Sequence, residues 1–136
     1  MGRQLYVNLP VSNVQKTKTF FSKLGFHFEP KFSNDDAICM IIDDDIYVML
    51  LAEPFFKSFI KKEISNAKQS TEVLLCLSCS NRQEVDALTD KALSAGGKLA
   101  REPQDLGFMY SQAFEDLDGH IWELMHMDPN AMPANG

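Results

Sequence analysis

The sequence predicts an α+β fold in which two βαβββ modules make one domain, and three observations predict it. The strand-to-helix transition Val11-Ser12-Asn13 returns later in the chain as Cys79-Ser80-Asn81. Each copy leads into an amphipathic helix ended by glycine, Gly25 in the first and Gly96-Gly97 in the second, and then into three short strands. Finally, 136 residues of which 45% are apolar suffice for one well-buried core.

The first module opens with Leu5 to Val11, where Leu5, Val7, Leu9 and Val11 share one face and Tyr6, Asn8 and Pro10 the other. That period of two is a strand with one apolar side. Ser12-Asn13 offers an N-cap, with Gln15 placed to complete a capping box to Ser12. Val14, Phe21 and Leu24 fall on one helical stripe. Phe26 to Pro30 reads as a short strand, Ala37 to Ile42 as a third, and Asp43-Asp44-Asp45 turns the chain into a fourth from Ile46 to Leu51.

The second module repeats this order. Glu72 to Cys79 is a strand with Val73, Leu75, Leu77 and Cys79 on one face and Leu74, Cys76 and Ser78 on the other. Ser80-Asn81 caps a helix, with Glu84 three residues after Asn81, and its inner stripe is Val85, Leu88 and Ala92. It should be about one turn longer than its counterpart. Lys98 to Arg101 forms a short strand, residues 102–105 a loop, and Phe108 to Asp116 a further strand. Between the modules, Phe55, Phe56, Phe59, Ile60 and Ile64 make an apolar helical stripe opposite Lys57, Lys61 and Lys62. The expected division is a module over residues 3–52, a helical connector over 53–70, a second module over 71–129 and a flexible tail over 130–136.

Thirteen basic and nineteen acidic residues leave a net charge of −6, which argues against an electrostatically driven nucleic-acid or anionic-membrane partner. The N-terminus turns polar too soon for a secretory signal, and no apolar run approaches membrane-spanning length. Three cysteines in apolar surroundings suit a reducing cytoplasm. Cys76 and Cys79, three apart in a strand, point to opposite faces and do not clamp one metal.

The most informative stretch runs from Phe114 to Pro129, with a strand expected from His120 to His126. Its Asp116-Leu117-Asp118-Gly119 turn feeds a strand in which Trp122 and Leu124 alternate with Ile121, Glu123 and Met125. A carboxylate centred in an apolar strand is costly to bury alone, so Glu123 should face a cleft. His27, His120 and His126 fall in no serine–histidine–acid or cysteine–histidine spacing.

The Asp-x-Asp-Gly-His-x-Trp-Glu hairpin resembles the vicinal oxygen chelate (VOC) superfamily, which includes glyoxalase I, bleomycin-resistance proteins and extradiol dioxygenases. The resemblance covers Leu5 to Pro129. It implies a curled mixed β-sheet around a shared cleft, with the strand glutamate as the usual metal ligand. With each apolar strand face covering its helix, Tyr6, Asn8, Leu74 and Cys76 face the cleft. Aligning Asp45 with Gly119 sets Met49 opposite Glu123, so Tyr47, Met49 and Leu51 join Ile121, Glu123 and Met125. Phe108 and Tyr110 are strand or rim aromatics, suited to core packing or to stacking on a planar ligand.

Carried over by spacing to the helix caps, the family's metal positions fall on Tyr6, Met49, Leu74 and Glu123. Only Glu123 is a competent ligand for a divalent zinc, nickel, iron or manganese ion, which falls short of an ordinary donor set. The leading expectation is therefore a small-molecule binding protein, holding an apolar or aromatic ligand around Glu123 without metal. The alternatives are a metal-dependent lyase or isomerase resembling lactoylglutathione lyase (or a dioxygenase-like enzyme), with Glu123 as ligand or base, and a non-catalytic dimeric scaffold. A homodimer is expected, burying a sheet edge or the Phe55–Ile64 segment.

Overall fold

The computed structural model describes residues 2–131. The tail expected over 130–136 thus lies, from residue 132 on, outside the described residues. The chain divides into two compact units that meet between Asn66 and Ala67.

The first unit contains β1 (Leu5–Val11), α1 (Val14–Lys23), β2 (His27–Phe28), β3 (Ala37–Asp43), β4 (Ile46–Ala52) and α2 (Glu53–Lys57). Its sheet has the order β1-β4-β3-β2, with β1 parallel to β4 and the other pairs antiparallel. The second unit contains β5 (Leu74–Ser78), α3 (Arg82–Ser94), β6 (Lys98–Asp105), β7 (Met109–Glu115) and β8 (Ile121–Met127). Its order, β5-β8-β7-β6, repeats the first sheet strand for strand, again with only the β5–β8 pair parallel. Both sheets are open and mixed, each a βαβββ module.

The helix starts are built alike. Asn13 Oδ1 accepts from Lys16 N at 2.9 Å and Asn81 Oδ1 accepts from Glu84 N at 2.8 Å, so asparagine caps both helices and Ser12 is not the cap. Glu84 Oε1 also accepts from Ser80 N at 2.8 Å. α3 is 13 residues long against 10 for α1, close to the expected extra turn. In the first unit Phe20, Phe21, Ile38, Met40 and Leu50 are fully buried, and α1 packs on β3 and β4. In the second, Val85, Thr89 and Ala92 of α3 face β7 and β8, where Phe114, Trp122 and Leu124 are buried.

Four expectations need correction. Leu5 is not core: it starts β1 and is 57% exposed. Val73 lies before β5 and is exposed. The connector is helical only over Glu53–Lys57. There Ser58 Oγ donates to the Phe55 carbonyl at 2.6 Å, while the backbone N–H groups of Phe59 and Ile60 close tight turns on Phe56 and Lys57. The Lys57 ammonium also folds back to the Lys62 carbonyl, so the helix is not continued. Lastly, β6 continues through the expected loop to Asp105, with breaks of register against β7 on both sides of Arg101. Pro103 is tolerated because β6 is an edge strand.

Candidate functional site

The turn that carries Glu123 is held by Asp116. Its Oδ1 accepts from Asp118 N and His120 N, both at 3.0 Å, and its Oδ2 accepts from the Trp122 indole at 2.9 Å. Burial pushes this carboxyl above its ordinary range, against the opposing pull of His120 and of the hydrogen bonds. Gly119 sits at φ 89°, and a Cβ there would come within 3.0 Å of the Ala67 backbone. Glycine meets both demands, left-handed backbone and close approach. Asp116 and Gly119 thereby set where β8 begins and which face Glu123 occupies.

Across the second sheet, Arg101, Ala113, Glu123 and Cys76 form one row, contributed in turn by β6, β7, β8 and β5. Neighbouring strands lie about 4.8 Å apart, so Arg101 and Glu123 are separated by roughly 10 Å of sheet. Ala113 between them has only a methyl group, which leaves a lane for the long guanidinium. Arg101 Nη2 donates to Glu123 Oε2 at 3.3 Å and to Ser111 Oγ at 3.0 Å, while Nη1 donates to the Glu102 carbonyl at 3.2 Å. The register breaks beside Arg101 have the effect typical of bulges, re-aiming one side chain across the sheet. The pair is part-buried, with the Arg101 side chain 34% and that of Glu123 22% exposed.

Around this pair the face is mixed: apolar side chains come from β5 and β8, while the flanking rows continue into Glu115 and Lys98 on one side and Ser111 and Gln104 on the other. Leu74 pairs with Ile121 on one side of the row, and Met125 lies between Ser78 and Ser111 on the other. The Cys76 thiol is pushed up by burial first and by the Glu123 charge second, with Arg101 opposing. It is a thiol at neutral pH and lacks the thiolate character of a nucleophile.

The remaining expected site residues fall as follows. In the first sheet Tyr6 pairs with Tyr47, and the two rings stack with centroids 4.8 Å apart. Their hydroxyls donate locally, Tyr6 to Gln4 Oε1 at 3.1 Å and Tyr47 to the Asp44 carbonyl at 2.9 Å. Asn8 Nδ2 donates to the Tyr6 carbonyl at 3.2 Å, and Met49 lies between Asn8 and Cys39. Tyr110 is on the opposite face of its sheet from Glu123. Its hydroxyl donates to Asp86 Oδ1 of α3 at 2.6 Å, a carboxylate that also accepts from Gln112 Nε2 at 2.6 Å. The parity of β7 decides this: Ser111 and Ala113 share the Glu123 face, so Tyr110, Gln112 and Phe114 share the helix face. Phe108 lies just outside β7, its carbonyl accepting from Asp128 N at 2.7 Å.

Glu123 is therefore not the lone charge that the sequence suggested. Arg101 and Ser111 complete the polar group, and the sequence reading missed both. The usable signal was the pair of small residues, Ser111 and Ala113, alternating with large ones.

The residues present do not fit the family's metal. Among the described residues no group of three or more histidine, cysteine or acidic side chains is placed to hold one ion. Glu123 has a protonated thiol, a methyl group and a guanidinium in its row. A cation already beside its carboxylate opposes a second one.

Residues 3–124 match the glyoxalase/bleomycin resistance protein/dioxygenase superfamily, and the chain belongs to it. A hypothetical protein of S. aureus is similar at 26% identity and TM-score 0.79, over 93% of this chain and 94% of that one. A glyoxalase-related enzyme of Fulvimarina pelagi aligns at 18% identity and TM-score 0.77, over 93% of this chain and 88% of that one. A fosfomycin resistance protein of Listeria monocytogenes aligns at 16% identity and TM-score 0.68, over 96% and 98%. The last two are likenesses of fold alone. Compared with proteins of curated function, the chain matches none.

Proposed function

We propose that this protein is a small-molecule binding member of its superfamily, holding an apolar or aromatic ligand on the Glu123 face of the second sheet without a divalent metal. The observation that carries this reading is the Arg101–Glu123 pair at 3.3 Å. It gives the carboxylate an organic counter-ion at the position the family reserves for metal coordination. The apolar side chains on β5 and β8 support it as well: Leu74 is 54% exposed and is flanked by Ile121. Exposed apolar side chains beside a few placed polar groups are the ordinary composition of a ligand site. A metal-dependent lyase or isomerase would need donors at Tyr6, Met49 and Leu74, whose side chains are a locally bonded phenol, a thioether and a hydrocarbon.

The test is a thermal-shift screen of aromatic and amphiphilic compounds, run before and after treatment with EDTA. Melting temperatures should rise with aromatic compounds, and by the same amount after chelation. Shifts that vanish on chelation and return with one equivalent of zinc or manganese would overturn the proposal.

A further inference from the structure

We infer that the ligand of this site is neutral overall and carries a hydrogen-bond donor and acceptor on adjacent atoms, as a carboxamide does, its donor directed to Glu123 and its acceptor to Arg101. This rests on the binding role proposed above and specifies its chemistry.

The hydrogen-bond capacity of the pair is the first ground. A guanidinium has five N–H groups. Those of Arg101 make three contacts, to Ser111, Glu123 and the Glu102 carbonyl, which leaves donors to spare. Among the described residues the Glu123 carboxylate accepts a single bond, through Oε2, and at 3.3 Å it is longer than an ordinary charge-assisted contact. Among the described residues no donor reaches its Oε1. A donor and an acceptor thus stand side by side, each incompletely used, in a part-buried setting where leaving them unpaired is costly once a ligand excludes water.

Charge is the second ground. The pair sums to zero, so an anion drawn to Arg101 meets the Glu123 carboxylate, and a cation drawn to Glu123 meets the guanidinium. A purely apolar ligand would strip water from both groups and return nothing. Only a neutral donor–acceptor unit satisfies both without adding charge. Its hydrocarbon or aromatic body then has Leu74, Ile121 and Met125 to cover.

The experiment compares four probes of similar shape, benzamide, benzoate, benzylamine and toluene, by isothermal titration calorimetry at pH 7. Benzamide should bind at least about tenfold more tightly than any of the other three. Glu123→Gln, which leaves Arg101 without its counter-charge, should move the preference to benzoate. Arg101→Met should move it to benzylamine. If benzoate, benzylamine or toluene binds the unaltered protein as tightly as benzamide, the ligand class assigned here is wrong while the binding role stands. If none of the four binds, the binding role itself fails and this inference with it. Circular dichroism establishes that each variant is folded, and where one is not, the ranking on the unaltered protein decides.

Discussion

Two acidic residues seven positions apart do opposite jobs. Asp116 is 6% exposed and accepts hydrogen bonds from two backbone amides and one indole. Asp116→Ala would remove the carboxylate that two part-buried backbone amides and one buried indole donate to. It should lower stability by roughly 2–4 kcal/mol in urea denaturation. Glu123 makes one long contact to a part-exposed arginine, and an amide oxygen could accept the same bond. Glu123→Gln should therefore change stability by less than about 1 kcal/mol while altering what the protein binds. Equal destabilisation by the two variants would mean that Glu123 serves the fold rather than the site.

Among the elements, the helix caps and the β6 edge carry the sharper expectations. Asn81→Ala removes the acceptor for Glu84 N and should cost about 1 kcal/mol, read from the urea midpoint. β6 is stapled to α3 by Arg82, whose two Nη atoms donate to Asp105 at 2.7 and 3.0 Å. Arg82, followed by the Gly107 amide, lowers the Asp105 carboxyl from 3.8 to about 2. A depressed folded value means that the unfolded chain takes up the proton first. The stapling contribution is then fully present above about pH 4 and disappears as pH falls through about 2. The difference in melting temperature between the protein and its Asp105→Asn variant should accordingly shrink over that interval. A difference that stays constant from pH 5 to pH 2 would show that the staple adds nothing. The exposed setting of both side chains keeps the effect small.

For the whole molecule, charge gives the clearest expectation. With a net charge of −6 and an isoelectric point near 4.9, the protein should be least soluble close to pH 5. It should also pass through a heparin column unretained at neutral pH, and retention at physiological salt would point to a basic surface that the composition does not suggest. No helix among the described residues is long and apolar enough to cross a membrane.

Most of the architecture could be read from the chain because its determinants are local. Period-two alternation marks strands such as Leu5–Val11, asparagines at 13 and 81 mark helix starts, and Gly25 and Gly119 take the positive φ that the chain needs there. The face of Glu123 was legible too, since Trp122 and Leu124 on either side of it are buried. The Phe55–Ile64 segment misled because a helical apolar stripe does not report the hydroxyl of Ser58, which takes the Phe55 carbonyl. What surrounds Glu123 was beyond local pattern. Arg101 reaches it across two strand boundaries, from an edge strand whose register shifts on both sides of it, and over an alanine whose methyl group leaves room for the crossing. Residue order sets which way each side chain points along its own strand. Which side chains then meet depends on how the strands register against one another, and a single bulge changes that pairing without leaving a mark in local periodicity.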